Sequence, residues 1–403
     1  SYIKQLNNKD NINQTITVSA APGAVDAFWL AKRFRSGATG TLLHIATDDQ
    51  AMAHMAQALD LLVPGIEILT FPAWDCLPYD RVGPNGAITA RRIDTLWRLA
   101  TSTDENHPGS RVIITTINAI SQKVSPPDTY QTGILEICVG ESLDVDALIA
   151  FTSDQGYGRA EVVMEPGEFA IRGGIIDIYP PGQNGPVRLD LFGDEVEKIR
   201  KFDPLSQISE GNVESIILKP VSEVLLTNEA ITRFRTHYRE RFGSPKGNDS
   251  LYESISEGRR IAGMEHWLPL FQDRLSTLFD YLPNATLSLG AGAQDALDLR
   301  LEQIADYFAA RNDIAGASST GNPGMAMEDA AYNPLPPDCL YLDRDQWDTT
   351  LQSRDTIAFD SFVTGAQKSG DIDAGARLMR NFSAEARSSA GNAFDLVVSY
   401  ARD

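Results

Sequence analysis

The chain has 403 residues, 42% of them hydrophobic, and its 35 Lys and Arg side chains face 55 Asp and Glu. This length exceeds what one hydrophobic core usually supports, so we expect a folded protein of two to four domains. The net charge of −20 repels phosphate over the chain as a whole, which argues against a DNA clamp.

Cysteine and histidine spacing argues against several kinds of site. Cys76, Cys138 and Cys339 are far apart and odd in number, so neither a disulfide framework nor a structural zinc site is expected. The five histidines show no HExxH spacing, and the chain lacks a GxSxG motif. Signal-peptide and membrane-span patterns are also missing. We therefore expect a cytoplasmic protein with no metal site and no catalytic residue.

Strand and helix patterns alternate in the first part of the chain. Segments 16–20, 41–46, 66–70 and 111–115 predict strands, and segments 23–34, 48–59 and 87–100 have helical spacing. Such alternation is typical of an α/β layer with a mainly parallel sheet. The sequence Pro126-Pro127-Asp128 predicts the end of this first part, so its limits are 1–128.

The turn between the first strand and the first helix stands where a P-loop would bind phosphate. It has the sequence SAAPGAVDAF, without the second glycine, the lysine and the Ser or Thr that would meet phosphate and magnesium. Asp26 adds a negative charge there. We expect a structural turn and no bound nucleotide.

Residues 71–79, FPAWDCLPY, allow two interpretations. Trp74 and Tyr79 could line a ligand cleft, or they could pack in the interior, and large aromatic side chains in such loops favour packing. The next helix carries Arg91, Arg92 and Arg98, and its amphipathic pattern predicts a solvated basic face.

A second domain of α+β type is predicted over residues 129–217. Its strand at 134–139 and helix at 143–151 precede apolar runs between 165 and 203 that read as an antiparallel hairpin or meander. Alternation places Val187, Leu189 and Leu191 on one face of a strand. It places Arg188, Asp190 and Phe192 on the other. That second face either binds a partner, or Phe192 lies under a loop while Arg188 pairs with Asp190 or Asp194.

The remaining chain returns to α/β patterns over residues 218–362. Helices are predicted at 228–242, 250–257 and 293–311, strands at 285–289, 339–342 and 356–359, and a loop after 316. Residues 364–389 are rich in Gly, Ala and Ser, which is typical of a linker. An apolar segment at 394–400 then predicts the start of a further domain, so residues 363–403 are interpreted as a linker and that start. We expect the chain to be the N-terminal part of a longer protein.

Three stretches together carry a resemblance to a known family. They are FPAWDCLPYDRVGPNGAITARRIDTLWRL, then EPGEFAIRGGIIDIYPPG with VRLDLFGDEVEKIRKFDP, then LFDYLPNATLSLG. Over roughly residues 18–403 the chain resembles the N-terminal region of the bacterial transcription-repair coupling factors (Mfd proteins), and its middle motif also resembles UvrB. This implies a degenerate, helicase-like (P-loop NTPase-like) parallel-sheet domain, split by an inserted α+β domain with an antiparallel sheet.

The missing motifs distinguish the two relatives. UvrB needs a working P-loop, an Asp-Glu pair, for which this chain has Ala291 and Gly292, and a long DNA-clamping hairpin. The resemblance therefore implies a non-catalytic adaptor without cofactor. ATP, magnesium, RNA polymerase and double-stranded DNA would be bound by downstream domains. A UvrB-type helicase and a small-molecule α/β enzyme with a cleft near Trp74 and Tyr79 are the alternatives.

The resemblance also implies a partner and its site. Arg172, Arg188 and Phe192 stand at positions similar to those with which the family contacts UvrA. The expected function is to bind UvrA and so recruit nucleotide excision repair to RNA polymerase stalled at DNA damage. The pair Gly173-Gly174 could bend its strand and redirect Arg172.

Overall fold

The structure is a computed structural model that describes residues 15–21, 23–102, 110–245, 249–319, 332–362 and 371–376, with the single positions 392, 394 and 398. The strands are β1 Thr15–Ser19, β2 Thr41–Ala46, β3 Glu67–Phe71, β4 Arg111–Thr116, β5 Leu135–Cys138, β6 Gly158–Arg159, β7 Glu168–Arg172, β8 Ile175–Ile178, β9 Val187–Phe192, β10 Glu195–Phe202, β11 Ser209–Val213, β12 Ser215–Leu218, β13 Thr286–Leu289, β14 Thr356–Phe359 and β15 Ile372–Asp373.

Twelve α-helices and one 3₁₀ helix, Met264–Trp267, occur in the described residues. The α-helices are α1 Val25–Arg35, α2 Asp49–Leu62, α3 Gly86–Thr101, α4 Ile117–Ile120, α5 Pro127–Thr132, α6 Val145–Asp154, α7 Asn228–Phe242, α8 Ser250–Ser256, α9 Leu268–Phe271, α10 Ala293–Ser319, α11 Pro337–Leu340 and α12 Arg344–Gln352.

One parallel sheet contains strands from both ends of the chain. Its order is β15-β1-β14-β13-β2-β4-β3, and every pairing in it is parallel. Both faces are covered: Leu43 and Ile45 of β2 belong to one core, and Leu42 and Ala46 to the core on the opposite face. Burial on both faces is what makes these strands continuous apolar runs. The predicted α/β class with a parallel sheet is confirmed.

Residues 135–218, hereafter the antiparallel module, form a second architecture. Six strands pair in the order β11-β10-β9-β8-β7-β6, antiparallel except for β6 with β7, and β5 pairs antiparallel with β12. Leu148 of α6 packs with Ile176 and Leu189 from the sheet. One face of the sheet is therefore buried, and the predicted antiparallel α+β insertion is confirmed.

Three local predictions were wrong. Residues 339–342 are not a strand: α11 begins at Pro337, since proline suits the first helical position, and Tyr341 forms only an isolated bridge with Gln122. Helix α10 continues to residue 319, beyond the predicted 311. Arg92 does not lie on a solvated face, because its side chain is fully buried against Glu223.

The segment 363–403 contributes one short strand to the parallel sheet. Ile372 and Asp373, within the segment predicted to be a linker, form the edge strand β15 beside β1. Most of the rest of 363–403 lies outside the described residues. In the part of the chain that the structure describes, no helix is long and apolar enough to cross a membrane.

Candidate partner-binding face

The face of the six-stranded sheet opposite the Leu148 core is called the outer face here. Along β9, Val187 and Leu189 are buried, whereas the side chains at 188, 190 and 192 are less buried and face outward. Cross-strand register extends this face, since Asp177 lies opposite Arg188, and Arg188 lies opposite Arg200. The alternation predicted for residues 187–192 is therefore confirmed. It arises because the pleat of a strand directs successive side chains to opposite faces of the sheet.

Phe192 is the most exposed side chain of the predicted set. It ends β9, is 79% exposed, and lies opposite Glu195 across the turn that Gly193 makes at a φ of +66°. The nearby Ile175 at the start of β8 is also an exposed large hydrophobic residue. The interpretation that Phe192 lies under a loop is therefore wrong, because the ring faces solvent.

Arg188 is held in a buried ionic contact. Its Nε donates to Oδ1 of Asp177 at 2.6 Å, and its Nη2 donates to Oδ2 at 2.8 Å. The guanidinium also lies 4.6 Å from the ring centroid of Phe202, and the side chain is only 18% exposed. The hydrogen bonds that Arg188 donates to the carboxylate of Asp177 raise the pKa of Arg188. Arg188 is thus charged and fixed in place.

The carboxylate that pairs with Arg188 differs from the two candidates that the sequence suggested. Asp190 instead accepts two hydrogen bonds from Arg200, each of 2.7 Å. Asp194 accepts a hydrogen bond from the hydroxyl of Ser142. The predicted pairing of Arg188 with Asp190 or Asp194 was wrong. The partner of Arg188 is set by the register between β8 and β9, which places Asp177 opposite it, and not by closeness in sequence.

Arg172 is the more available of the two arginines. Its side chain is 53% exposed, and one hydrogen bond of 3.3 Å joins its Nη2 to Oδ2 of Asp177. Gly173 and Gly174 follow as the turn into β8, with Gly173 at a φ of +60°. A Cβ at Gly174 would approach the carbonyl oxygen of Leu191 to 3.0 Å. The glycine pair is therefore a hairpin turn, and β7 ends at Arg172 without a bend inside the strand.

Asp177 is the residue of this face that sequence reasoning missed. It lies in the middle of β8 and is 1% exposed, yet it contacts both predicted arginines. A buried carboxylate is costly unless charged donors surround it, so the two arginines and Asp177 form one unit. The available signal was an aspartate inside the apolar run IIDI, since a strand rarely carries an inward or half-buried charge without a partner.

At the degenerate P-loop position, backbone donors are already used. The amides of Ala20 and Ala21 donate to the carbonyls of Phe362 and Asp360, at 3.2 and 3.0 Å. Burial raises the pKa of Asp26 in the first turn of α1. Phosphate binding at such a turn depends on free backbone amides and on the positive N-terminal end of the helix. Here the two amides already donate to carbonyls, and the carboxyl group of Asp26 lies at the helix end.

The end of β13 also lacks charged groups. Gly290, Ala291 and Gly292 follow this strand and lead into α10. Within β13, the hydroxyl of Ser288 lies 2.9 Å from Nδ1 of His44 on β2. Burial lowers the pKa of His44 to about 4, so this imidazole is neutral at pH 7.

Trp74 and Tyr79 belong to the protein interior. Both side chains are buried in one core with Trp267 and Phe271, and the indole of Trp74 donates to Glu223 at 2.8 Å. The packing interpretation is confirmed for both residues. A cavity of about 150 Å³ lies beside Trp267, but neither Trp74 nor Tyr79 lines it.

Comparison with known proteins gives consistent matches. The family described as UvrB interaction domain matches residues 135–223. A transcription-repair-coupling factor of Haemophilus influenzae is 34% identical over 60% of this chain and 21% of its own length. Those of Escherichia coli and Rickettsia bellii are 33% and 31% identical over 71% and 72% of this chain, and over 23% and 26% of their own lengths. The chain thus spans about a quarter of the length of the curated relatives it matches.

Proposed function

Because the chain belongs to the family of the bacterial transcription-repair-coupling factors, we propose that the outer face of its antiparallel module binds UvrA. In this proposal Arg172, Arg188 and Phe192 contact the partner. The parallel-sheet domain acts as a non-catalytic scaffold. Binding of UvrA brings nucleotide excision repair to RNA polymerase stalled at DNA damage, while polymerase, DNA and ATP are bound elsewhere in the longer protein.

The observation that carries the proposal is the exposure of Phe192 on the module that matches the UvrB interaction domain. Exposure of a large aromatic ring to water is unfavourable, and aromatic and arginine side chains dominate the binding energy of protein interfaces. A half-exposed Arg172 in the same module adds a charged donor. UvrA would have to offer an apolar pocket and a nearby acceptor group.

The scaffold role is supported by the geometry around β1. The amides of Ala20 and Ala21 donate to carbonyl groups that follow β14, so they are not available to a phosphate. The carboxyl group of Asp26 also disfavours a phosphate at this turn. We also propose domain limits of 1–128, 129–217, 218–362 and 363–403. Strands before residue 117 and after residue 285 share one sheet, whereas strands between 135 and 218 pair only with each other.

A titration of UvrA against the chain tests the proposal. Phe192→Ala is expected to weaken binding by at least about 2 kcal/mol, or about 30-fold in Kd, because it removes a central anchor. Its fold should be unchanged by circular dichroism, since the ring packs on little within the chain. Phe28→Ala is the matched control, because Phe28 is 61% exposed on α1 of the parallel-sheet domain. Equal affinity of the Phe192 variant and wild type would contradict the proposal.

A further inference from the structure

We infer that Asp177 is a positioning residue for the partner-binding face: it fixes Arg188 in the orientation in which that arginine meets UvrA. The inference rests on the proposed binding of UvrA to the outer face. Nothing in the matched families' names assigns a role to this carboxylate.

Asp177 sits between the strands that carry the two arginines. In register it lies opposite Ala170 of β7 on one side and opposite Arg188 of β9 on the other. Its two oxygens accept three hydrogen bonds: Oδ1 from Nε of Arg188, and Oδ2 from Nη2 of both Arg188 and Arg172. The carboxylate thus joins three neighbouring strands at the centre of the face.

The contact fixes the guanidinium of Arg188 from several sides. Asp177 accepts hydrogen bonds from Nε and Nη2. The ring centroid of Phe202 lies 4.6 Å from the guanidinium carbon, and Oε1 of Gln207 lies 3.5 Å from Nη2. A two-point arginine-carboxylate pair has a fixed plane. The side chain therefore loses little further freedom when a partner binds, which favours affinity.

The same contact decides which atoms remain for UvrA. Among the described residues, Nη1 of Arg188 makes no hydrogen bond, so its two N–H groups are the donors that Arg188 keeps for UvrA. Most N–H groups of the Arg172 guanidinium remain available, because one hydrogen bond of 3.3 Å, from Nη2, engages it. A carboxylate of UvrA would thus find more unused donors at Arg172, whose Nε and Nη1 make no hydrogen bond among the described residues, than at Arg188.

Asp177→Asn is the direct test, since asparagine keeps the size but loses the charge that holds Arg188. We expect the affinity for UvrA to fall by about tenfold or more, because the guanidinium becomes free to turn. Asp190→Asn is the matched control: Asp190 lies on the same face and also binds an arginine through two hydrogen bonds, but that arginine is Arg200. Its affinity should stay within about twofold of wild type.

A double-mutant cycle separates positioning from a merely structural role. If Asp177 acts through Arg188, then Asp177→Asn should cost less than about threefold in the Arg188→Ala background. Equal losses in both backgrounds would overturn the inference. If Asp177→Asn lowers the melting temperature, Asp177→Glu replaces it, because glutamate keeps the charge and moves the carboxylate by one methylene. Wild-type affinity of Asp177→Glu would likewise overturn the inference.

The two proposals fail in different ways. If wild type does not bind UvrA, or Phe192→Ala binds as wild type does, the proposed function itself is contradicted. If Phe192→Ala is impaired but Asp177→Asn and Asp190→Asn both bind as wild type does, the face is still the binding site. In that case only the positioning role of Asp177 is removed.

Discussion

Arg92 and Glu223 form an ion pair in which both side chains are fully buried, with 2.6 Å between Nε and Oε1. A second bond of 3.1 Å joins Nη2 to Oε2, and Trp74 donates to the same carboxylate. Arg92 lies on α3 of the parallel-sheet domain, whereas Glu223 follows the last strand of the antiparallel module. Glu223 lies just beyond residues 135–218, so the pair fixes the segment in which the chain returns from the antiparallel module to the parallel-sheet domain.

Glu223→Gln should destabilise the protein by about 3–5 kcal/mol, because it leaves Arg92 as a buried charge without its counterion. The free energy of unfolding in urea measures this change. Arg91→Ala is the matched control, since Arg91 is the neighbouring arginine of α3 and is exposed. Its effect should stay within about 0.5 kcal/mol. Similar values for the two variants would show that the buried pair does not stabilise this return segment.

Arg188→Ala should lower stability as well as affinity. The substitution leaves the buried carboxylate of Asp177 with only the longer bond from Arg172, and an uncompensated buried polar group costs about 1–3 kcal/mol. Adding Asp177→Asn to this variant should recover part of the melting temperature. A double variant that is less stable than Arg188→Ala would contradict this account of the pair.

Magnesium ATP should not stabilise the chain. The amides of Ala20 and Ala21 already donate to backbone carbonyls, and Asp26 places a carboxylate in the first turn of α1. A site filled at 100 times its Kd would add about 2.7 kcal/mol to the free energy of unfolding. Thermal unfolding at increasing nucleotide concentration measures this, with magnesium tripolyphosphate as the control for ionic strength. A saturable rise specific to ATP would favour the helicase alternative.

His44 should make the stability depend on pH. Burial holds its folded-state pKa at about 4, below the ordinary value of 6.5, so between these values the unfolded state binds a proton that the folded state does not. The free energy of unfolding should therefore fall as pH decreases from 6.5 towards 4, by up to about 1.4 kcal/mol per pH unit. His44→Gln removes this contribution. Urea unfolding at pH 7, 6 and 5 should show a shallower slope for the variant, and identical slopes would refute the assignment.

The sequence predicted those features that depend on local periodicity. The outward direction of Phe192 follows from alternation within β9, and the parallel sheet follows from apolar runs of strand length separated by helices. The resemblance to the transcription-repair-coupling factors is also confirmed, since three of them are 31–34% identical over 60–72% of this chain.

The features that sequence reasoning missed depend on contacts between distant segments. Arg92 was expected in solvent because its partner Glu223 is 131 residues away, and a buried charge looks like a surface charge in an amphipathic pattern. The role of Asp177 is hidden in the sequence because residues 168–178 resemble one extended run, whereas the turn at Gly173 and Gly174 folds them into two strands. Only the resulting register places Asp177 opposite Arg188.

Hydrogen exchange of the wild-type chain with and without UvrA tests the central claim most directly, because it locates the contact without any substitution. Amides in the turns at 173–174 and 193–194, which flank Arg172 and Phe192, should exchange more slowly in the complex. Amides of α1 and α2 in the parallel-sheet domain serve as the internal control and should be unchanged. Protection confined to the parallel-sheet domain, with both turns exchanging as in the free protein, would contradict a UvrA-binding outer face.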